Sequence, residues 1–337
     1  MHRTMQPTYQ VEQLVQLKAL ADAHRVEILR LVMAGPATLS QLGAALGRHP
    51  AWIRHHLKAL ETAGLVELVE ERKVSGRTEK YYGATAQAFA VNLMIVPRPT
   101  EREMLVVLGS DDLALELLAA SLHDDPAAPD VFRLPMGSLE GLIALRQGLG
   151  HVAGCHLLDP ESGEFNLPYV RHLFPGRPVD VVTLVHRRQG LMLPAGNPRG
   201  IASLADALAV RARFVNRNPG SGTRVWLDRL LAAEGVAGAT VPGYDDELFA
   251  HRDVAQAVAD GRADVGLGIC AAALPLGLEF VPLLEERFDL VVPAEHRHTA
   301  LVEPLLARLR SSEFKGAVEA LGGYSTDHTG EETAVAA

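Results

Sequence analysis

Apolar residues recur at helical spacing from the start of the chain. In VEQLVQLKAL the stripe is Val11, Leu14, Val15 and Leu17, and in HRVEILRLVM it is Val26, Leu29 and Val32 with Met33. Gly35-Pro36 stops the second helix. Thr38 with Gln41 three residues on has capping-box spacing and opens a third helix, LSQLGAALG, which Gly47 ends. His49-Pro50 starts a fourth that runs to Ala63, because the missing proline N–H costs nothing at the first helical position. Ile53, Leu57 and Leu60 are its buried stripe. After Gly64 the period shortens, and LVELVEERKVSGRTEKYYGAT reads as two strands around a Ser75-Gly76 turn.

The second part of the chain has a different rhythm. VPRPT has two prolines and no apolar period, so residues 96–103 read as a short stiff linker. Beyond it strands and helices alternate: MLVVLGS before DLALELLAASL, VFRLP before SLEGLIALRQG, HVAGCHLL, RFVNR before SGTRVWLDRLLAAEG, and HRDVAQAVADGRADVGLGI. Such alternation predicts parallel sheet covered by helices. The expected division is a small domain over 1–95, the linker, a larger domain over 104–325, and a polar tail over 326–337 expected to be disordered.

Charge separates the same two parts. Residues 1–100 carry 12 Lys+Arg against 8 Asp+Glu, or +4, whereas the remainder is −13 within a whole-chain net of −9. A basic module on an acidic one suggests that the first meets a polyanion. No apolar run approaches the roughly 18 residues that span a bilayer, and MHRTMQPTYQ has no signal-peptide pattern, so a cytoplasmic protein without membrane contact is expected. Two cysteines, Cys155 and Cys270, are too few for a disulfide framework or a thiolate metal site. No metal ligand set, nucleophile–base pair, Walker loop or GxGxxG motif occurs, so no catalytic residue, metal or cofactor is assigned.

Two helices with a Gly-containing turn, the second basic on its exposed face, form a helix-turn-helix, and the hairpin behind it forms a wing. The exposed face of the fourth helix offers His49, Ala51, Trp52, Arg54, His55 and Lys58. Arg54 and His55 are the candidates for base edges, since arginine is the best major-groove donor to guanine. Arg72, Lys73, Arg77 and Lys80 around the wing tip would lie along phosphates, and His56 is expected to be packed. LKALADAHRVEILRLV, LSQLGAALG, IRHHLKALETAGLVE and the basic hairpin together resemble the ArsR-type winged helix-turn-helix repressors over about residues 10–90. The resemblance implies a homodimer on a two-fold operator in double-stranded DNA. The metal sensors of that family place thiolates in this module, which here contains no cysteine.

In the larger domain three junctions put small hydroxyl-bearing residues between a strand and a helix start: Gly109-Ser110, Gly137-Ser138, and Gly220-Ser221-Gly222-Thr223 followed by Arg224. Unpaired N–H groups at helix starts favour an anion or polar ligand there. His156 and Asp159, after the strand HVAGC, are further candidates, Asp159 being a contact if the ligand is a cation or amine. Trp226 is expected in the core. GSDDLALELL, LPMGSLEGLIALRQG, GCHLLDPESGEFN, NRNPGSGTRVWLD, GRADVGLGI and LRSSEFKGAVEALGGY resemble the type II periplasmic-binding-protein fold, in the cytoplasmic form attached to helix-turn-helix domains. This resemblance implies two lobes, crossed outward by 181–197 and back by 283–293, with ligand in the cleft. GSGTR is similar to the SGT loops of tungstate- and phosphate-binding proteins, and similar domains occur fused to molybdopterin-handling enzymes, which favours molybdate or tungstate as effector.

The expected architecture is therefore an α+β winged helix-turn-helix followed by a two-lobed α/β periplasmic-binding-protein-like (type II) domain. The expected function is a one-component regulator that binds operator DNA as a dimer and senses a small ligand or oxyanion. A regulator sensing an organic metabolite, or an enzyme or carrier acting on a molybdenum-cofactor intermediate, are the alternatives.

Overall fold

The computed structural model describes residues 8–11, 13–74, 76–91, 93–97 and 101–335. Ser75 of the expected turn, residues 98–100 of the expected linker and 336–337 of the tail lie outside the described residues. The chain divides into two compact units between Ile95 and Val96.

The first unit runs β1 (Tyr9–Val11), α1 (Leu14–Leu20), α2 (Ala23–Ala34), α3 (Leu39–Leu46), α4 (Pro50–Thr62), β2 (Val66–Val74), β3 (Arg77–Ala84) and β4 (Phe89–Val91). Each helix start has its own cap. Asp22 accepts from the His24 and Arg25 N–H groups at α2, Thr38 and Gln41 form the reciprocal capping box of α3, and His49 accepts from Ala51 N–H at α4. Gly47 closes α3 at φ 64°, a left-handed conformation that glycine adopts without strain. Ile28, Leu29, Val32, Leu42, Ile53, Leu57, Leu60 and Leu65 make the core. One element departs from the helical pattern: Val11 is buried on strand β1, which pairs in parallel with β4, while Leu14 and Val15 are exposed on α1. Pairing with a strand some 80 residues away overrides the local periodicity.

The second unit begins with β5 (Met104–Gly109), α5 (Leu113–His123), β6 (Asp130–Pro135), α6 (Ser138–Arg146), β7 (Val152–Cys155) and α7 (Leu167–Leu173). The 15-residue β8 (Val179–Leu193) then crosses to α8 (Leu204–Ala209), β9 (Phe214–Arg217), α9 (Gly222–Ala233), β10 (Glu247–Leu248), α10 (His251–Ala259), β11 (Val265–Ile269) and α11 (Cys270–Ala273). The equally long β12 (Glu279–Pro293) returns to α12 (Ala294–Arg297), α13 (Glu303–Leu309), α14 (Ser312–Ala320), β13 (Tyr324–Ser325) and β14 (Glu332–Val335).

These strands form one sheet in the order β10-β9-β11-β8-β12-β7-β5-β6. β6, β5 and β7 are parallel in the first lobe, β10, β9 and β11 are parallel in the second, and β8 and β12 run antiparallel through both. Helices cover both faces, so strands such as β5 and β11 are buried along nearly their whole length. Because parallel strands point their carboxyl ends the same way, β5, β7 and β9 deliver their following loops to the boundary between lobes. Close packing there needs glycine: a methyl on Gly109, at φ 94°, would sit 2.3 Å from the Gly154 carbonyl oxygen.

The tail is not the disordered segment its composition suggested. β13 and β14 pair antiparallel with β8, Thr326 and Thr329 are buried, and Thr329 Oγ1 donates to the Leu184 carbonyl at 2.7 Å. Thr183 exchanges backbone hydrogen bonds with Gly330 and Glu331. Glu331, Glu332 and Thr333 are exposed while the backbone completes the open edge of β8, a pairing that composition does not reveal. No described helix is long and apolar enough to cross a membrane.

Ending the chain after Ser325 should therefore lower the melting midpoint of the second unit, by about 4 °C or more if the lost pairing contributes about 2 kcal/mol. Calorimetry of the full and shortened chains checks this, and an unchanged midpoint would show that β14 carries no stability.

Candidate functional site

The surface of α4 sorts its residues by exposure. Ala51, Arg54, His55 and Lys58 are exposed, whereas Trp52 is half-buried, its ring 4.1 Å from that of His56 and 5.1 Å from that of His24. The Arg48 guanidinium lies 5.2 Å over the same indole. Trp52 thus anchors α4 on α2, and His49 Nδ1 accepts from Ala51 N–H as the cap, while Arg54 and His55 stay exposed. His56 is mostly enclosed, 3.7 Å from Asp22.

On the wing Arg72 pairs with Glu70 at 2.7 Å and lies over Tyr81, and Lys80 pairs with Glu71 at 3.1 Å. Lys73 and Arg77, next to the turn, have no carboxylate partner among the described residues. Exposed pairs of this kind are worth at most about 1 kcal/mol, so phosphates can displace them, while Lys73 and Arg77 are available from the outset.

The second constellation lies where the lobes of the larger unit meet. The first lobe supplies Ser110 after β5, Ser138 in the first turn of α6 and His156 after β7. The Ser110 and Ser138 hydroxyls are 2.8 Å apart, and the His156 backbone N–H donates to Ser138 Oγ at 3.1 Å. The second lobe supplies Gly220 to Thr223 at the start of α9, with Ser221 accepting from the Arg224 N–H as N-cap. A methyl on Gly222 would lie 2.3 Å from His156 Cε1, and one on Gly137 would lie 3.1 Å from the Gly220 carbonyl. Both lobes are therefore in contact at these loops, and only glycine lets the first turn of α9 rest on the His156 ring.

The crossing strands make the floor. Arg187 on β8 is only 1% exposed and donates to Asp112 Oδ2 at 2.5 Å and from Nε to Glu286 Oε2 at 2.8 Å. Its Nη2 lies 2.7 Å from the same oxygen, but in a geometry too bent for another hydrogen bond. Glu286 on β12 also meets His156 Nδ1 at 2.7 Å and accepts from Gln189 Nε2 at 3.2 Å. Gln189 Nε2 donates to Thr223 Oγ1 at 3.0 Å, and the Tyr324 hydroxyl donates to Asp112 at 2.9 Å. One carboxylate thus joins both crossing strands to helix starts in both lobes.

Burial pushes the Glu286 carboxyl up, but Arg187 and His156 outweigh it and hold the pKa at about 2. Burial keeps His156 neutral at neutral pH, Glu286 opposing it only in part. Arg217, at the end of β9, is different. It is 9% exposed, donates to the Phe249 carbonyl at 2.7 Å, and leaves Nε without a partner. No carboxylate lies within ion-pair distance of it among the described residues. Burial, then the like charge of Arg187, lowers its pKa to about 10. Beside it His251, the first residue of α10, is buried with Nδ1 unpaired; burial, Arg217, Arg187 and His156 hold its pKa well below the ordinary value.

Residues 119–310 match the family described as "PBP superfamily domain", more than half of the chain. The chain belongs to this PBP superfamily. Residues 22–67 match "Bacterial regulatory protein, arsR family", so an ArsR-type helix-turn-helix is fused to a PBP-like domain. The uncharacterized protein YvgK of Bacillus subtilis (strain 168) is 34% identical over 67% of this chain and 72% of its own. An uncharacterized protein in the ferredoxin 2Fe-2S gene 5' region of Clostridium pasteurianum is 33% identical over 32% of this chain and 96% of its own. A putative phosphate ABC transporter substrate-binding protein with bound phosphate, from Clostridium perfringens, superposes with a TM-score of 0.51 at 11% identity, covering 68% of this chain and 99% of that one.

Within the PBP-like unit the predicted ligand residues divide. Ser110, Ser138, His156 and Gly220 to Thr223 gather at the lobe boundary with Gly109 and Gly137, although each hydroxyl already has a protein partner. Two predicted residues are elsewhere. Asp159 closes a local turn by accepting from the Ser162 N–H and hydroxyl. Arg224 is stacked 3.9 Å over Tyr244 and paired with Asp228 and Glu247. Asp228, one turn further along α9, and the Tyr244 ring hold its guanidinium on the helix flank. Trp226 packs partly buried in the second lobe's core. Arg187, Gln189, Arg217, Glu286 and His251 went unread, because they lie in strands or at a helix start without a local motif. The polar stretches HRRQ in β8 and EERFD in β12, each between apolar runs, were the available signal.

Glu286→Gln should destabilise the second unit by about 3 kcal/mol, since it leaves Arg187 with Asp112 alone. The sign with pH follows from a folded pKa depressed from 4.5 to about 2: this stability is present above about pH 4.5 and lost as pH falls toward 2. Urea midpoints across that window should fall more steeply for the parent chain than for the variant.

Proposed function

We propose that this protein is a one-component transcription regulator, binding operator DNA as a homodimer through α4 and the wing and sensing a small anion between the lobes. The observation that carries the effector half is Arg217: a buried guanidinium with an unpaired Nε and no carboxylate partner among the described residues costs free energy that an arriving anion recovers. The first turn of α9, neutral His251 beside Arg217 and the α6 start add donors or partial positive charge around it. A tetrahedral oxyanion such as molybdate or tungstate is the effector that the GSGTR resemblance favours. A small organic anion is the alternative, and either is consistent with the phosphate-bound substrate-binding protein of similar fold.

Effector bound between the lobes would stabilise the closed arrangement by hinge motion about β8 and β12. A coupling of about 1–3 kcal/mol would change operator affinity by about 5–150-fold. An anion that bound open and closed forms equally would not regulate.

Two substitutions separate the halves. Arg54→Ala should weaken operator binding by about 1–3 kcal/mol while leaving any anion-induced rise in melting midpoint unchanged. Arg217→Met should abolish that rise, worth about 2.7 kcal/mol at a hundredfold excess over the dissociation constant, and abolish the anion's effect on operator affinity, with anion-free operator binding as in the parent. Operator titrations and melting with molybdate, tungstate, sulfate, phosphate and organic acids check both. An Arg217→Met chain that responds like the parent would remove the cleft from the mechanism.

A further inference from the structure

Gln189 on β8 is fully buried at the meeting of the crossing strands with the first turn of α9. Its amide nitrogen is committed twice, to Thr223 Oγ1 and to Glu286 Oε2. That commitment fixes the orientation of the amide, because the flipped group would set its oxygen against the Glu286 carboxylate. Gln189 Oε1 is left buried with no partner. Among the unpaired buried groups at the boundary between lobes, two are of opposite sense: Arg217 Nε requires an acceptor and Gln189 Oε1 requires a donor. Both lie at the start of α9: Gln189 donates to Thr223 in its first turn, and Arg217 ends β9, the strand that leads into that turn.

The buried charges point the same way. Arg187 is already met by Glu286 and Asp112, so Arg217 is the guanidinium left for an entering anion. A fully deprotonated oxyanion carries only acceptors. It would satisfy Arg217 and set further lone pairs against Gln189 Oε1, leaving that acceptor without a bond.

We infer that the effector is an anion that also donates a hydrogen bond, as a protonated oxyanion or a hydroxy acid does, and that Gln189 accepts that bond. This rests on the reading of the lobe boundary as an anion site, and it narrows the anion away from molybdate, tungstate and sulfate, which have no proton to donate at neutral pH. A polar site built around a ligand hydroxyl discriminates strongly against the analogue that lacks it, since the buried partner is then left unpaired.

Matched pairs test it on the full-length protein. Hydrogen phosphate and sulfate share size and shape and differ in a proton; lactate and propionate differ in a hydroxyl. Calorimetric titration near neutral pH should give a dissociation constant at least about tenfold lower for the donor-bearing member of one pair, and which pair responds separates an inorganic from an organic effector. Gln189→Met should bring the two members of that pair to within about twofold of each other. Binding of the parent chain needs no variant to fold, so the comparison stands even if Gln189→Met is destabilised. Equal binding within both pairs, or tighter binding of molybdate or sulfate, overturns the inference and leaves the anion-sensor reading intact. Discrimination that persists in a folded Gln189→Met overturns the role of Gln189. No binding by any of these anions overturns the sensor reading and the inference together.

Discussion

A guanidinium taken out of water must be met by carboxylates, and in this chain that requirement organises the whole second unit. Arg187 sits on the outward crossing strand with Asp112 on one side and Glu286 on the other. Removing two charges from water costs several kcal/mol for each ion, so the arrangement persists only where geometry and further hydrogen bonds are good. Here they are. Asp112 caps α5 while accepting from Tyr324, and Glu286 takes His156 and Gln189 as well as Arg187. The partners come from the first lobe, both crossing strands and the C-terminal segment, and Gln189 carries the network on to Thr223 in the second lobe. An ion pair of modest net stability thereby specifies how five separate pieces of chain meet.

The same network explains what is left over. Each hydroxyl at the three strand-to-helix junctions already has a bond within the protein, so the groups still in need of a partner are deeper, at Arg217, His251 and Gln189. Burial without compensation is costly, and proteins keep such groups where something else completes them. The anion-sensor reading and the donor requirement both come from this imbalance. Neither depends on the fold relatives, whose low identity speaks for the architecture alone.

The first unit solves a simpler problem. Its helices are each capped by a local side chain, and its core is one layer of aliphatic residues between α2, α3, α4 and the wing. Packing Trp52 against His24 and His56 fixes the roll of α4, and that roll is what leaves Arg54 and His55 outward. The wing carries carboxylates beside Arg72 and Lys80 in weak exposed pairs, while Lys73 and Arg77 have none among the described residues.

Much of this was legible in the chain itself, for a physical reason. Helix caps, the Gly47 and Gly64 breaks, the hairpin and the alternation of strands with helices depend on residues within a few positions of each other, and so do the junction motifs around Ser110, Ser138 and Ser221. Such short-range determinants set the two-unit organisation, the helix-turn-helix and the α/β class. Other features depend on residues 34 to 212 positions apart: Gln189 with Thr223, His156 with Glu286, Tyr324 with Asp112, and β14 along β8. No local period encodes those meetings. Asp159 and Arg224 had the right chemistry beside the right loops, yet a turn and a helix flank carried them elsewhere. Arg217 and Gln189 had no motif at all and became candidates only when tertiary packing buried them and left one atom of each unpaired, because burial and pairing are properties of the folded neighbourhood and not of the segment.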